Sequence, residues 1–143
     1  MTDKTAYAAL LLRLALGVMF ISHGLMKVFV FTVPGTIGFF ESIGYPGWMA
    51  YVVILGEIGG GALLILGVYT RRVALANLLI LLGAIPVHFG NGWVFSNQGG
   101  GWEYPAFLAA VAVAVSLLGD GVYALRLPWM QRPERAVAGT SAE

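Results

Sequence analysis

From Ala6 to Met26 the chain carries a single charged side chain, Arg13, and three further runs repeat the pattern. The second extends from about Trp48 to Tyr69 with Glu57 as its lone charge, the third from Val73 to about Phe89 with none, and the fourth from about Tyr104 to Leu125 with Asp120. Each approaches the roughly 20 apolar residues that carry a helix across a bilayer core, the third at the short end. Only 10% of the 143 residues are charged and 59% are hydrophobic, whereas a soluble domain is about a quarter charged. Such runs cannot all be interior segments of a water-soluble fold. The expected fold is all-α, a polytopic bundle of four transmembrane helices with spans at about residues 6–27, 48–69, 72–89 and 104–125. These occupy a single domain over residues 1–127, followed by a polar tail over 128–143, and leave no room for a separate soluble catalytic domain.

The first run is expected to stay in the mature chain. Its n-region holds only Lys4, its apolar core contains Arg13, and no A-x-A-like cleavage site follows promptly. Basic residues then orient the bundle. Lys4 precedes the first run, Arg71 and Arg72 fill the turn between the second and third, and Arg126, Arg132 and Arg135 follow the fourth, while the opposite side offers only Lys27. That imbalance predicts cytoplasmic termini and a cytoplasmic tail. Segments 28–47 and 90–103 fall on the outer side. In the first, Ile37, Phe39, Phe40 and Ile43 recur near helical spacing between ends bearing Pro and Gly, which predicts a short interfacial helix. In the second, Trp93 and Trp102 suit the headgroup level, and the glycines allow the loop to fold back over the bundle.

Charges within a span are costly and usually face partners inside the bundle. At about 1.5 Å per residue, Arg13 lies about 10–12 Å up from the cytoplasmic end of the first run and Glu57 about 13–15 Å down from the outer end of the second. Across a core about 30 Å thick these depths nearly coincide, so an Arg13–Glu57 structural ion pair is expected. Arg13, Gly17, Phe20, Gly24 and Lys27 alternate spacings of four and three and form one stripe, with His23 on its flank. The third run carries Asn77, Ala84 and His88 on one face, and both runs point outward, so His23 and His88 reach similar depth. Glu103 opens the fourth run at that level. The expectation is a polar column: the Arg–Glu pair near mid-membrane, and above it His23, Lys27, His88 and Glu103 beneath a loop rich in Gly and Trp. Each member also has a plainer reading: an ion pair fixing helix register, Lys27 as a snorkelling anchor, and Glu103 as an N-terminal helix charge.

Absences narrow the chemistry. The chain has no cysteine, which excludes thiolate metal sites, iron–sulfur clusters and thiol chemistry by this chain alone. A net charge of +1 with scattered basic residues gives no support to nucleic-acid binding, and no metal site is expected.

These residues, in this order, resemble the DoxX family of small bacterial and archaeal four-helix membrane proteins. The resemblance runs over about residues 7–125. It rests on Arg13 with Gly17 and Phe20, His23-Gly24 followed by Lys27, Gly44 and Pro46, Glu57 followed by Gly60-Gly61, and the turn Leu66-Gly67-x-x-Thr70-Arg71. It continues through His88 with Asn91-Gly92, the loop Gly99-Gly100-Gly101-Trp102-Glu103, and Gly119-x-Gly121. It implies a compact four-helix bundle in the plasma (inner) membrane. It also implies a connection to redox work, since the family takes its name from subunits associated with quinol oxidation and thiosulfate:quinone oxidoreduction, and some members look like membrane partners of soluble redox enzymes. The chain ends its last motif in Arg126 where many relatives carry an acidic residue, so no role is carried onto that position.

Three functions of different class follow. The first is a redox-associated membrane protein binding a quinone or similar small aromatic ligand in the polar column. Such a ring needs donors at its carbonyl oxygens and a group to exchange protons; His23, Lys27 and His88 are the candidate donors, and Glu103, Glu57 and His23 the candidates for proton exchange. Phe20, Trp93 and Trp102 are candidates to stack on the ring. The second is a non-enzymatic scaffold for partner redox enzymes or for a second copy of the chain, docking through glycine-lined helix faces. The third, ranked below these, is a bis-His haem b protein using His23 and His88, since only one such pair exists and Lys27 and Glu103 share its pocket. A transporter ranks lower still, because four short-looped helices leave little space for a path.

Overall fold

The computed structural model describes residues 3–126, and among these the only regular elements are five α-helices: α1 (Asp3–Phe29), α2 (Val33–Ser42), α3 (Met49–Leu66), α4 (Thr70–Phe89) and α5 (Glu103–Leu118). The tail expected over 128–143, with Arg132 and Arg135, lies outside the described residues.

Local chemistry accounts for the boundaries. Helix α1 carries Asp3 in its first turn and Lys27 in its last, each complementing the helix dipole. Thr32 caps α2 by accepting the Gly35 N–H at 3.2 Å, with Pro34 in its first turn. The Thr36 hydroxyl then donates to the Lys27 carbonyl at 3.0 Å, which ties this short helix to the end of α1. Gly67, at φ 74°, ends α3 by sending its N–H back to Leu63 and Leu64, a left-handed cap that favours glycine. The tight turn to α4 follows at once.

Packing joins the four long helices in a ring. Helix α1 lies chiefly on α3 and α4 chiefly on α5, with α3–α4 and α1–α5 contacts closing the circuit, so that α1 and α4 stand on its diagonal. The core contains Leu16, Phe20, Leu64, Ala74, Leu81, Leu108, Ala112 and Val115. The α1–α3 seam is closest where two glycines meet: a Cβ on Gly17 would stand 2.8 Å from the Gly61 carbonyl oxygen, and one on Gly61 would stand 2.7 Å from that of Gly17. Small residues let helix backbones approach in this way.

Three helices, α1, α3 and α4, are long and apolar enough to cross a membrane; α5 is a shorter apolar helix. Leu11, Leu55, Leu79, Phe107 and Leu117 point outward from α1, α3, α4 and α5 and are each at least 67% exposed, as a lipid-facing surface requires. The fourth apolar run, expected to be helical to Leu125, is helical only to Leu118. Gly119 and Gly121, at φ 81° and 69°, turn the chain back across the bundle end. There Val122 N–H donates to Ala6 O at 3.3 Å and Leu125 N–H to Leu66 O at 2.9 Å. Apolar composition continues past a turn that glycine conformation has already made.

Candidate functional site

The expected Arg13–Glu57 pair does not form. Glu57 pairs with Lys27, whose ammonium donates to both carboxylate oxygens at 2.8 Å. The reason is register. A Cβ on Gly24 would stand 3.2 Å from Glu57 Cβ, so Glu57 faces a level three helical turns beyond Arg13, on the order of 16 Å at about 1.5 Å per residue. Arg13 points the other way. It is 1% exposed, donates from Nη2 to the Val122 carbonyl at 3.2 Å, feels the charge of Asp120, and occupies the space beside the side-chain-free Gly67. Its Nε and Nη1 have no hydrogen-bond partner.

The Lys27–Glu57 pair forms one wall of a cavity of about 130 Å³. Around it stand Phe20 and His23 of α1, Leu81, Ala84 and His88 of α4, and Tyr104 and Leu108 of α5. Four of the predicted ligand and proton residues therefore share this space: His23, Lys27, His88 and Glu57, with Phe20 at its apolar side. Asn77, one turn below Leu81 on α4, is buried against Gly60, and its amide nitrogen has no partner.

Each imidazole is held by backbone. His23 Nδ1 lies 2.8 Å from the Met19 carbonyl oxygen one turn earlier in α1. His88 Nδ1 lies 3.1 Å from the carbonyl oxygens of Gly99 and Gly100, where the outer loop folds over the end of α4. Asn91 donates its amide to the same two oxygens at 3.0 and 2.9 Å, so the glycine loop is fastened to the cavity rim.

Two predicted members are elsewhere. Glu103 accepts the Phe95 N–H at 2.8 Å and lines a separate, open groove with Trp93, Phe95, Ala106 and Phe107. Trp102 packs its ring against Trp93 at 4.4 Å and Phe89 at 5.4 Å, so neither tryptophan faces the cavity. The first turn of α5 satisfies the loop's backbone before it can serve the pocket.

Tyr104 takes the place expected of Glu103. Its ring lies 5.6 Å from that of His23 at an interplanar angle of 24°, and its hydroxyl is buried without a partner. It also lines the outer groove, and so forms the partition between the two spaces. The available signal is its position: an aromatic hydroxyl opening the fourth apolar run at the depth of both histidines. Among the described residues no group of three His, Cys, Asp or Glu side chains is placed to hold a metal ion.

A DoxX family profile matches residues 8–91, a stretch that contains Arg13, His23, Lys27, Glu57 and His88 but not Tyr104. Over 85 residues the chain is 47% identical to "Putative oxidoreductase CatD" of Bacillus subtilis (strain 168), covering 59% of this chain and 62% of that one. Over 66 residues it is 38% identical to "Inner membrane protein YqjF" of Escherichia coli (strain K12), covering 46% of this chain and 49% of the other. The chain thus spans less than two thirds of the length of either relative. No solved structure matches it.

Proposed function

The chain belongs to the DoxX family, and from that premise we propose that it is a four-span inner-membrane protein that binds a single aromatic ring, quinone or a close analogue, in the Lys27–Glu57 cavity. Both termini face the cytoplasm in this reading, α5 is the fourth span despite its 16 residues, and the cavity opens on the outer side. Lipid surrounds the exposed leucines of the long helices. A separate redox enzyme is the partner that would supply or take electrons.

One observation carries the reading: ionisable side chains from α1 and α3, an imidazole from α4 and a tyrosine from α5 converge on a space the size of a single ring. A dry cavity of about 150 Å³ is enough to hold benzene. The apolar side, Phe20, Leu81 and Leu108, suits the ring faces, while the polar groups at the rim suit its substituents. That volume also favours one ring over a haem macrocycle.

Calorimetric titration of the protein in lipid nanodiscs with duroquinone and with hydroquinone, against empty nanodiscs, tests the proposal. Saturable binding of either compound, weakened at least tenfold in His88→Phe, is expected. Heats indistinguishable from empty nanodiscs for both would remove it.

A further inference from the structure

Glu103 is the one charged side chain lining the outer groove, and the bundle gives it no cation. Among the described residues its Oε1 accepts the Phe95 N–H at 2.8 Å, while Oε2 has neither a hydrogen bond nor an ion-pair partner and is not buried. The cations stand elsewhere. Lys4 and Arg13 lie in the first half of α1, Arg71 and Arg72 open α4, and Arg126 follows α5, all toward the opposite end of the bundle. Lys27 is committed to Glu57. A carboxylate at the end of an apolar helix, with no partner from its own chain, favours a cation brought from outside.

Aromatic rings supply the rest of the wall. Trp93, Phe95, Tyr104 and Phe107 line this groove of about 500 Å³ together with Glu103 and Ala106. Glu103, Ala106 and Phe107 share one face of α5 at spacings of three and four. Two of the rings are braced from behind, Trp93 by Trp102 at 4.4 Å and Tyr104 by His23 at 5.6 Å. The other two, Phe95 and Phe107, are 65% and 67% exposed. Among the described residues no two of these four rings pack on each other, so the space between them is open. An ammonium within about 6 Å of an aromatic centroid is attracted to the ring face, most strongly to that of tryptophan.

We propose that this groove holds the headgroup of a phospholipid ending in a primary ammonium, of the phosphatidylethanolamine class. The ammonium donates to Glu103 Oε2 among the rings of Trp93, Phe95 and Tyr104, and an acyl chain follows Phe107 onto the lipid-facing side of the bundle. The layout favours a lipid over a free amine, because one helical turn of α5 leads from the carboxylate of Glu103 to the exposed ring of Phe107. The open oxygen favours a primary ammonium, since a trimethylated nitrogen meets the rings equally but has no N–H to donate. A headgroup that is anionic and lacks a cation is repelled by Glu103. The inference uses the placement of α5 as the fourth span and does not depend on a ring in the Lys27–Glu57 cavity.

The test is native mass spectrometry of the protein released from nanodiscs of equal parts phosphatidylethanolamine, phosphatidylcholine and phosphatidylglycerol with identical acyl chains. Phosphatidylethanolamine is expected to be retained at least threefold more than either of the others. In Glu103→Gln, whose side-chain oxygen still accepts the Phe95 N–H, that excess is expected to disappear. Phe95→Leu, at an exposed side chain, is expected to lower retention of both ammonium lipids about twofold. No excess over phosphatidylglycerol in the unaltered protein, or an excess that survives Glu103→Gln, overturns the proposal. Equal retention of phosphatidylcholine overturns the hydrogen bond to Glu103, and unchanged retention in Phe95→Leu overturns the role of the rings. Loss of all lipid from the unaltered protein counts against α5 as a lipid-facing span as well. The first comparison needs no variant, so the stability of a variant does not decide it.

Discussion

Arg13 and Lys27 lie on one stripe of one helix, both cationic and both beside α3, yet their surroundings differ in kind. Arg13 is sealed: 1% exposed, facing the Val122 carbonyl, with Gly67 leaving it room and residues 119–125 folded across it. Lys27 has its partner Glu57 at 2.8 Å but opens on a cavity shared with two imidazoles and a tyrosine. A buried cation closed in by backbone fixes how elements meet, whereas one left beside an open space remains able to meet a ligand. The same residue chemistry thus closes one end of the bundle and borders a cavity at the other.

The seam between them gives the largest test of that contrast. Gly61→Val places a branched side chain against the Gly17 backbone and should lower stability by about 3 kcal/mol. Denaturation in mixed micelles by increasing SDS checks this, and both ends should fail together; loss at only one end would mean that the seam does not couple them. Next is Lys27→Met, which strands the Glu57 carboxylate and should cost about 2 kcal/mol, less than a fully buried pair loses on breaking because Lys27 is only partly buried. The double variant Lys27→Met/Glu57→Gln should recover more than half of that loss, as replacement of a whole pair generally does.

At the closed end, Arg13→Met should cost about 1 kcal/mol, the scale of one hydrogen bond to a charged donor offset by the loss of two unsatisfied ones. Hydroquinone affinity should stay within about twofold, since no part of Arg13 lines the cavity. A large change in affinity would erase the division between the ends. The smallest effect is expected at Tyr104→Phe. Its hydroxyl has no protein partner, so stability in the same SDS titration should change by no more than about 0.5 kcal/mol. Hydroquinone binding should weaken about threefold.

Much of α1 is legible in residue spacing alone. Alternating intervals of four and three put Arg13, Gly17, Phe20, Gly24 and Lys27 on one face, and that face is the one packed on α3 and the cavity. The partner of each cation is not legible in this way. Counting depth from the ends of apolar runs assumes that both helices meet the bilayer edges at those ends, whereas the Gly17–Gly61 contact sets the slide between them. Glu103 and Trp102 depart from expectation for another reason: both belong to a turn whose backbone competes for side chains. Phe95 N–H takes the carboxylate and Trp93 takes the indole face. Tyr104, one residue on, turns inward because a helix rotates about 100° per residue.

Hydropathy and the period of a helix are enough to establish that the chain builds apolar helices, which residues share a helix face, and that its few charges must find partners. Which cation meets Glu57, where the fourth helix stops, and which carbonyl groups hold each imidazole are set only when the helices pack. Those outcomes depend on the closest approach of two backbones and on carbonyl groups distant in sequence, which no local periodicity encodes.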